Sequence, residues 1–137
     1  MKYSKLLEMK IHLLLQIVFF ISIGCKNNCH HDITFINNSN KNLYYYEGSY
    51  PDTSIFDYNP LITNYYFIPK NTHSRFQISS CFEQRFNLTP KIIYFIFDAE
   101  VLKTIPWDTV MKKYMILKRY ELTLQGLKDS NWTITYH

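Results

Sequence analysis

Cys29-His30-His31-Asp32 sets four metal-ligating residue types side by side. A thiolate, imidazoles and a carboxylate together suit a borderline divalent ion such as zinc. Adjacent residues of an extended chain point to opposite sides, so one ion cannot easily collect all four. The favoured reading is a polar linker with solvated histidines, and no metal site is expected. Ser79, Ser80 and Cys81 offer nucleophiles without a neighbouring base motif, and His73 is the one histidine away from the ends of the remaining fold. Asp52, Asp57, Asp98, Glu100 and Asp108 are not paired by spacing, and three glycines are too few for a glycine-rich phosphate loop. The sequence therefore predicts no catalytic residues and no cofactor, with a hydrolase as the remote alternative. Tyr44-Tyr45-Tyr46, with Tyr65-Tyr66, could stack on sugar rings. Tyr44 and Tyr46 share one strand face and Tyr45 takes the other, so one face is core and the other is a ligand platform or a packed outer layer. Arg119, beside Lys118 in a strand, could meet an anionic partner or defend a sheet edge with charge.

The elements that must position these groups follow from pattern. The chain has 137 residues, 47% hydrophobic, 18% aromatic and 19% charged, with net charge +4. This apolar bulk excludes a disordered chain, and the charge is too small to suggest a nucleic-acid binder. Residues 32–47 read as a β-hairpin turning at Asn37-Asn38-Ser39-Asn40. A strand over 62–68 stops at Pro69, and a short one covers 75–78. The apolar run 91–97 reads as a central strand buried on both faces. Asp98 caps a turn over 99–103, Pro106 opens a helix over 107–113, and 114–121 returns to strand. Thr123 caps 124–128 before a last strand over 132–136. Asparagine stands in for scarce glycine where turns need positive φ. Trp107 and Trp132 fall on inner phases and are expected in the core near one another. The sum is a mainly β fold, a small antiparallel β-sandwich of six or seven strands with short connecting helices.

Residues 1–10 are basic, and 11–23 are apolar except for His12, Gln16 and Ser22. The apolar stretch makes about 20 Å of helix, short of a roughly 30 Å hydrocarbon core, so it reads as a signal helix and not a span. It ends Ile21-Ser22-Ile23-Gly24-Cys25. Here the chain resembles a bacterial lipoprotein precursor, in which a small residue precedes a cysteine that receives a diacylglyceryl group before cleavage. Ser22 departs from the usual leucine. The resemblance implies a signal peptide over 1–24, lipidation at Cys25, a tether over 25–31 and one domain over 32–137, anchored in the cell envelope by acyl chains such as palmitate.

Phe97-Asp98-Ala99-Glu100-Val101-Leu102, Trp107-Asp108, Tyr114-Met115-Ile116-Leu117-Lys118-Arg119-Tyr120 and Asn131-Trp132-Thr133-Ile134-Thr135-Tyr136 look like the tail of small uncharacterised Bacteroidetes-type envelope lipoproteins. Asn37-Asn38-Ser39 and Tyr50-Pro51-Asp52-Thr53 are similar to that group's earlier signatures. Gly126 and His137 depart from the pattern. Asp108-Thr109-Val110 also resembles that group's O-glycosylation acceptor. The resemblance implies location and fold, and no activity. With Cys25 lipidated, Cys29 and Cys81 remain, and an oxidising compartment would pair them unless Cys81 is a buried hydrophobe and Cys29 stays free. The sequence thus points to an outer-membrane-anchored binding or scaffolding accessory. Its expected partner is an outer-membrane protein, or a glycan if the tyrosines are exposed.

Overall fold

All seven residues of one strand, Ile92–Asp98, are buried, and the rest of the chain is arranged around them. The computed structural model describes residues 29–48, 50–51, 58–62 and 66–137. The signal segment 1–24, Cys25, the first residues of the tether and Tyr65 lie outside them. Among the described residues the strands are β1 (Asp32–Asn37), β2 (Leu43–Gly48), β3 (Phe67–Ile68), β4 (Thr72–Gln77), β5 (Ile92–Asp98), β6 (Lys118–Leu122) and β7 (Thr133–Tyr136). The helices are α1 (Phe82–Leu88), α2 (Ala99–Thr104), α3 (Trp107–Lys112) and α4 (Leu124–Asp129), with a 3-10 turn at Pro60–Ile62.

The strands form two sheets, one ordered β4-β1-β7 and the other β3-β2-β5-β6. The fold is mostly sheet and β-sandwich-like, with few short helices. One pairing departs from the antiparallel expectation, since β1 and β7 run parallel. Residues 32–47 also do not form the expected hairpin: β1 pairs with β4 and β7, and β2 with β3 and β5. The chain arches from one sheet to the other at Asn37, which is fully buried. Its Nδ2 donates to the carbonyls of Lys41 at 2.8 Å and Pro69 at 3.0 Å, and its Oδ1 accepts from the Ser39 amide and hydroxyl. A side chain that satisfies this many backbone groups can hold an arch closed inside the protein.

Two cores result, one on each side of the four-stranded sheet. Ile92, Tyr94 and Ile96 point between the sheets and meet Ile33, Phe35, Tyr45, Phe82, Trp132 and Ile134. Ile93, Phe95 and Phe97 point the other way and meet Tyr44, Tyr46, Leu102 and Val110 under α2 and α3. Gly48 serves the second core, because a Cβ there would stand 2.6 Å from the Phe95 ring. Trp132 and Trp107 join opposite cores, so the expectation that they neighbour each other is overturned. Trp107, half-buried, packs on Phe97 with centroids 5.6 Å apart.

The helix starts of the C-terminal third are as expected, but the strand expected over 114–121 begins only at Lys118. The Asp98 side chain accepts from the Glu100 amide at 2.9 Å and from Lys41 Nζ at 2.8 Å. Burial pushes the Asp98 carboxyl up, but the bonds from Lys41 and the helix amides outweigh it and hold the group below its ordinary value. The Thr123 hydroxyl accepts from the Gly126 amide. Helices α3 and α4 end alike: the amides of Met115 and Trp132 reach back to the carbonyls of Val110 and Leu127 at 3.0 Å and 2.7 Å. This closure needs a left-handed residue just past the helix. Asn131 fills that place after α4 at φ 50°, and Tyr114 after α3 at φ 49°. Asparagine tolerates the conformation, whereas an exposed tyrosine is strained by about 1 kcal/mol or more. Tyr114→Gly is therefore expected to raise stability by about 1 kcal/mol in urea denaturation; an unchanged or lower midpoint would show that the Tyr114 ring contributes more than its backbone costs.

Candidate functional site

The groups that could do chemistry gather around α1, a helix the sequence reading left unassigned. Its signal is faint: Phe82 and Phe86 stand at i and i+4 over the inter-sheet core, with Glu83 in the first turn. Cys81 is the N-cap and makes no side-chain cap bond. From this one short helix and its cap the chain presents Cys81, Glu83 and Arg85.

On one side α1 holds the tether. Cys29 and Cys81 are joined in a disulfide, with Cα atoms 5.3 Å apart, well inside the reach of such a bond. Backbone bonds reinforce it, since the Ile78 amide donates to the His31 carbonyl at 2.8 Å and the Phe82 amide to the His30 carbonyl at 2.9 Å. The His30 amide donates to Glu83 Oε2 at 2.9 Å, and its ring nitrogen Nδ1 lies 3.1 Å from Oε1. Burial pushes the Glu83 carboxyl up, and these bonds, together with one from its own amide, bring it below its ordinary value. The His30 ring stacks on Trp132 with centroids 4.1 Å apart and planes 13° from parallel. Trp132 sits at φ 57°, a position that costs a bulky residue, and contacts with His30 and Phe82 hold it there. From residue 29 onward the expected polar linker is therefore bound to the domain, while His30 stays exposed and His31 is half-buried. Asp32 is drawn away to Arg75 at 2.5 Å, so the run 29–32 does not converge on one point.

On its other side α1 borders an open cleft of about 500 Å³. Arg85 grips Glu47 of β2 through both terminal nitrogens. The Tyr94 hydroxyl, whose pKa burial raises, donates to Glu47 at 3.0 Å. Tyr45, Tyr58 and Tyr66 form an aromatic wall, with the hydroxyls of Tyr58 and Tyr66 3.0 Å apart. Gln77, Ser79 and Ser80 also line the cleft and bring amide and hydroxyl groups to it.

The expected ligand residues lie elsewhere. Tyr44 and Tyr46 are only 5% and 3% exposed, so they are not a surface platform. The reason is the second core: both faces of β2 are covered, and the two rings pack on Phe67 and Tyr58. Arg119 lies on β6, the edge of its sheet, and pairs with Glu121 at 2.6 Å. Glu121 also holds Lys91 at 2.6 Å, which makes this a charged edge of the kind that discourages pairing with other chains. Cys25 lies outside the described residues. Among the described residues no helix is long and apolar enough to cross a membrane.

No family model, no curated protein and no solved structure matches the chain.

The bridge closes a span of 52 residues, worth up to about 4 kcal/mol in the chain-entropy account. Cys81→Ala is expected to lower stability by that order and to speed hydrogen exchange at the amides of His30, Ile78 and Phe82, which donate across the contact between tether and domain. Loss of stability with those amides still protected would show that these bonds hold the tether without the bridge.

Proposed function

We propose that the chain is a lipid-anchored protein of the cell envelope, held at the outer membrane by acyl chains on Cys25, whose domain binds or scaffolds a partner beside the bilayer. The observation that carries this reading is Gly24-Cys25 at the end of a short apolar segment after a basic start. A second point supports it. The chain pairs Cys29 with Cys81, as suits an oxidising compartment once the third cysteine is blocked by lipid. Because the tether is fastened from Cys29, only three residues separate that fixed point from Cys25. The domain would stand directly over the headgroups. Cys25→Ser is expected to abolish labelling by a palmitate analogue and to leave the precursor unprocessed; equal labelling of the variant would remove the basis for the anchor.

The cleft beside α1 favours glycan as what the domain binds. Aromatic rings stack on the apolar faces of sugars, while planar polar groups such as an Arg-Glu pair and an amide bond their hydroxyls. Tyr58, Tyr66, Gln77, Glu47 and Arg85 provide that mixture. Tyr66→Ala and Gln77→Ala are expected to weaken retention on envelope polysaccharide by tenfold or more, about 1.4 kcal/mol. Retention unchanged by both variants would leave a protein partner as the reading.

A further inference from the structure

The disulfide has company that a disulfide does not need. Cys29 and His31 are two apart on an extended segment, so their side chains share a face, and His31 Nε2 lies 3.2 Å from Cys29 Sγ. Cys81 and Glu83 are likewise two apart at the start of α1, and Glu83 Oε2 lies 3.0 Å from Cys81 Sγ. The ligand atoms of Cys29, Cys81 and Glu83 all lie within 4.8 Å of one another. Bridged sulfurs carry no proton, so in that state they offer neither the carboxylate nor the imidazole a hydrogen bond.

We propose that, when the bridge is reduced, Cys29, Cys81 and Glu83, completed by His31, bind a divalent ion of the zinc class. Two thiolates, one imidazole and one carboxylate form a set that such an ion accepts in tetrahedral geometry. With metal–sulfur bonds of about 2.3 Å and metal–nitrogen or metal–oxygen bonds of about 2.0–2.2 Å, the ligand atoms stand roughly 3.3–3.8 Å apart. Cys29, Cys81 and Glu83 are within a side-chain adjustment of that, and His31, already 3.2 Å from Cys29 Sγ, would turn its ring to complete the set. Glu83 is already oriented by His30, whose amide and ring nitrogen lie 2.9 Å and 3.1 Å from its two oxygens, the outer support that metal-binding carboxylates commonly have. The chemistry balances with a thiol reductant. Two equivalents of thiol deliver two electrons and two protons to the S–S bond and leave as their own disulfide. The ion then displaces the two cysteine protons to solvent. The same two sulfurs would fasten the tether in both states, through a covalent bond when oxidised and through the ion when reduced. This site is independent of lipid anchoring and of the cleft.

Cobalt(II) is the probe, because thiolate ligation gives it an intense charge-transfer band and tetrahedral geometry gives strong visible bands. The full chain carrying Cys25→Ser, in mild detergent, would be titrated anaerobically after reduction and in its oxidised form. The expected result is one cobalt per reduced chain with both sets of bands, none for the oxidised chain, and competition by zinc. Cys29→Ser or Cys81→Ser alone should weaken the thiolate band and the two together should abolish it, and His31→Ala and Glu83→Gln should weaken binding at least tenfold while keeping the native circular dichroism. No thiolate band in the reduced chain would overturn the proposal, as would a band insensitive to both His31→Ala and Glu83→Gln. If reduction alone unfolds the chain, recovery of structure on adding cobalt supports the site, and failure to recover overturns it.

Discussion

Burial of β5 on both faces is the constraint from which the rest of the architecture follows. A strand reading Ile-Ile-Tyr-Phe-Ile-Phe-Asp cannot leave a face in water without exposing a row of large apolar groups. The chain covers one face with the β4-β1-β7 sheet and the other with α2, α3 and the segment around the 3-10 turn. Its neighbour β2 inherits the same double cover, which is why three successive tyrosines can all be buried there. The arch at Asn37 belongs to the same solution. If β1 followed β2 into one sheet as a hairpin, the inter-sheet core would lose Ile33 and Phe35.

Much of this was legible in the residues. The unbroken apolar run announced β5, and Asp98, Pro106 and Thr123 marked the starts of α2, α3 and α4 because a cap is a local signal with a local cause. The arch was not legible. An Asn-rich turn between two β-rich runs is the same local pattern whether the strands pair or part, and what decides is non-local, the bond of Asn37 to Pro69 and the pairing of β1 with β4 and β7. The tyrosine platform failed for a related reason. Alternation says which residues share a face, and nothing in 44–46 says that both faces are covered. The strand expected over 114–121 begins only at Lys118, because Tyr114 and Met115 close the end of α3 instead.

The site was legible only in part. Counting thiols paired Cys29 with Cys81, and the structure joins them. The partners that give the bridge its setting were missed. Glu83 and Arg85 sit on α1, seven residues long with a single i,i+4 apolar pair, too short for periodicity to stand out. Trp132 was placed in the core, but its stacking on His30 depends on the left-handed end of α4, a tertiary matter. The attachment of the segment at His30 and His31 was missed because the residues that bind it lie about fifty positions away in sequence.

What unites the parts is placement. The tether is fastened at α1, α1 packs on the inter-sheet core, and Arg85 on its opposite side helps shape the cleft. An anchor on Cys25 would thus be tied through a few residues to the surface beside which a ligand would bind. The most direct test is a mass map of protein taken from the envelope, digested without reduction by a protease that cuts after acidic residues. The account predicts one linked species in which peptide 25–32, carrying a diacylglyceryl group on Cys25, is joined through Cys29 to the peptide ending at Glu83. Recovery of an unmodified Cys25, or of Cys29 and Cys81 as separate alkylatable thiols, would contradict it.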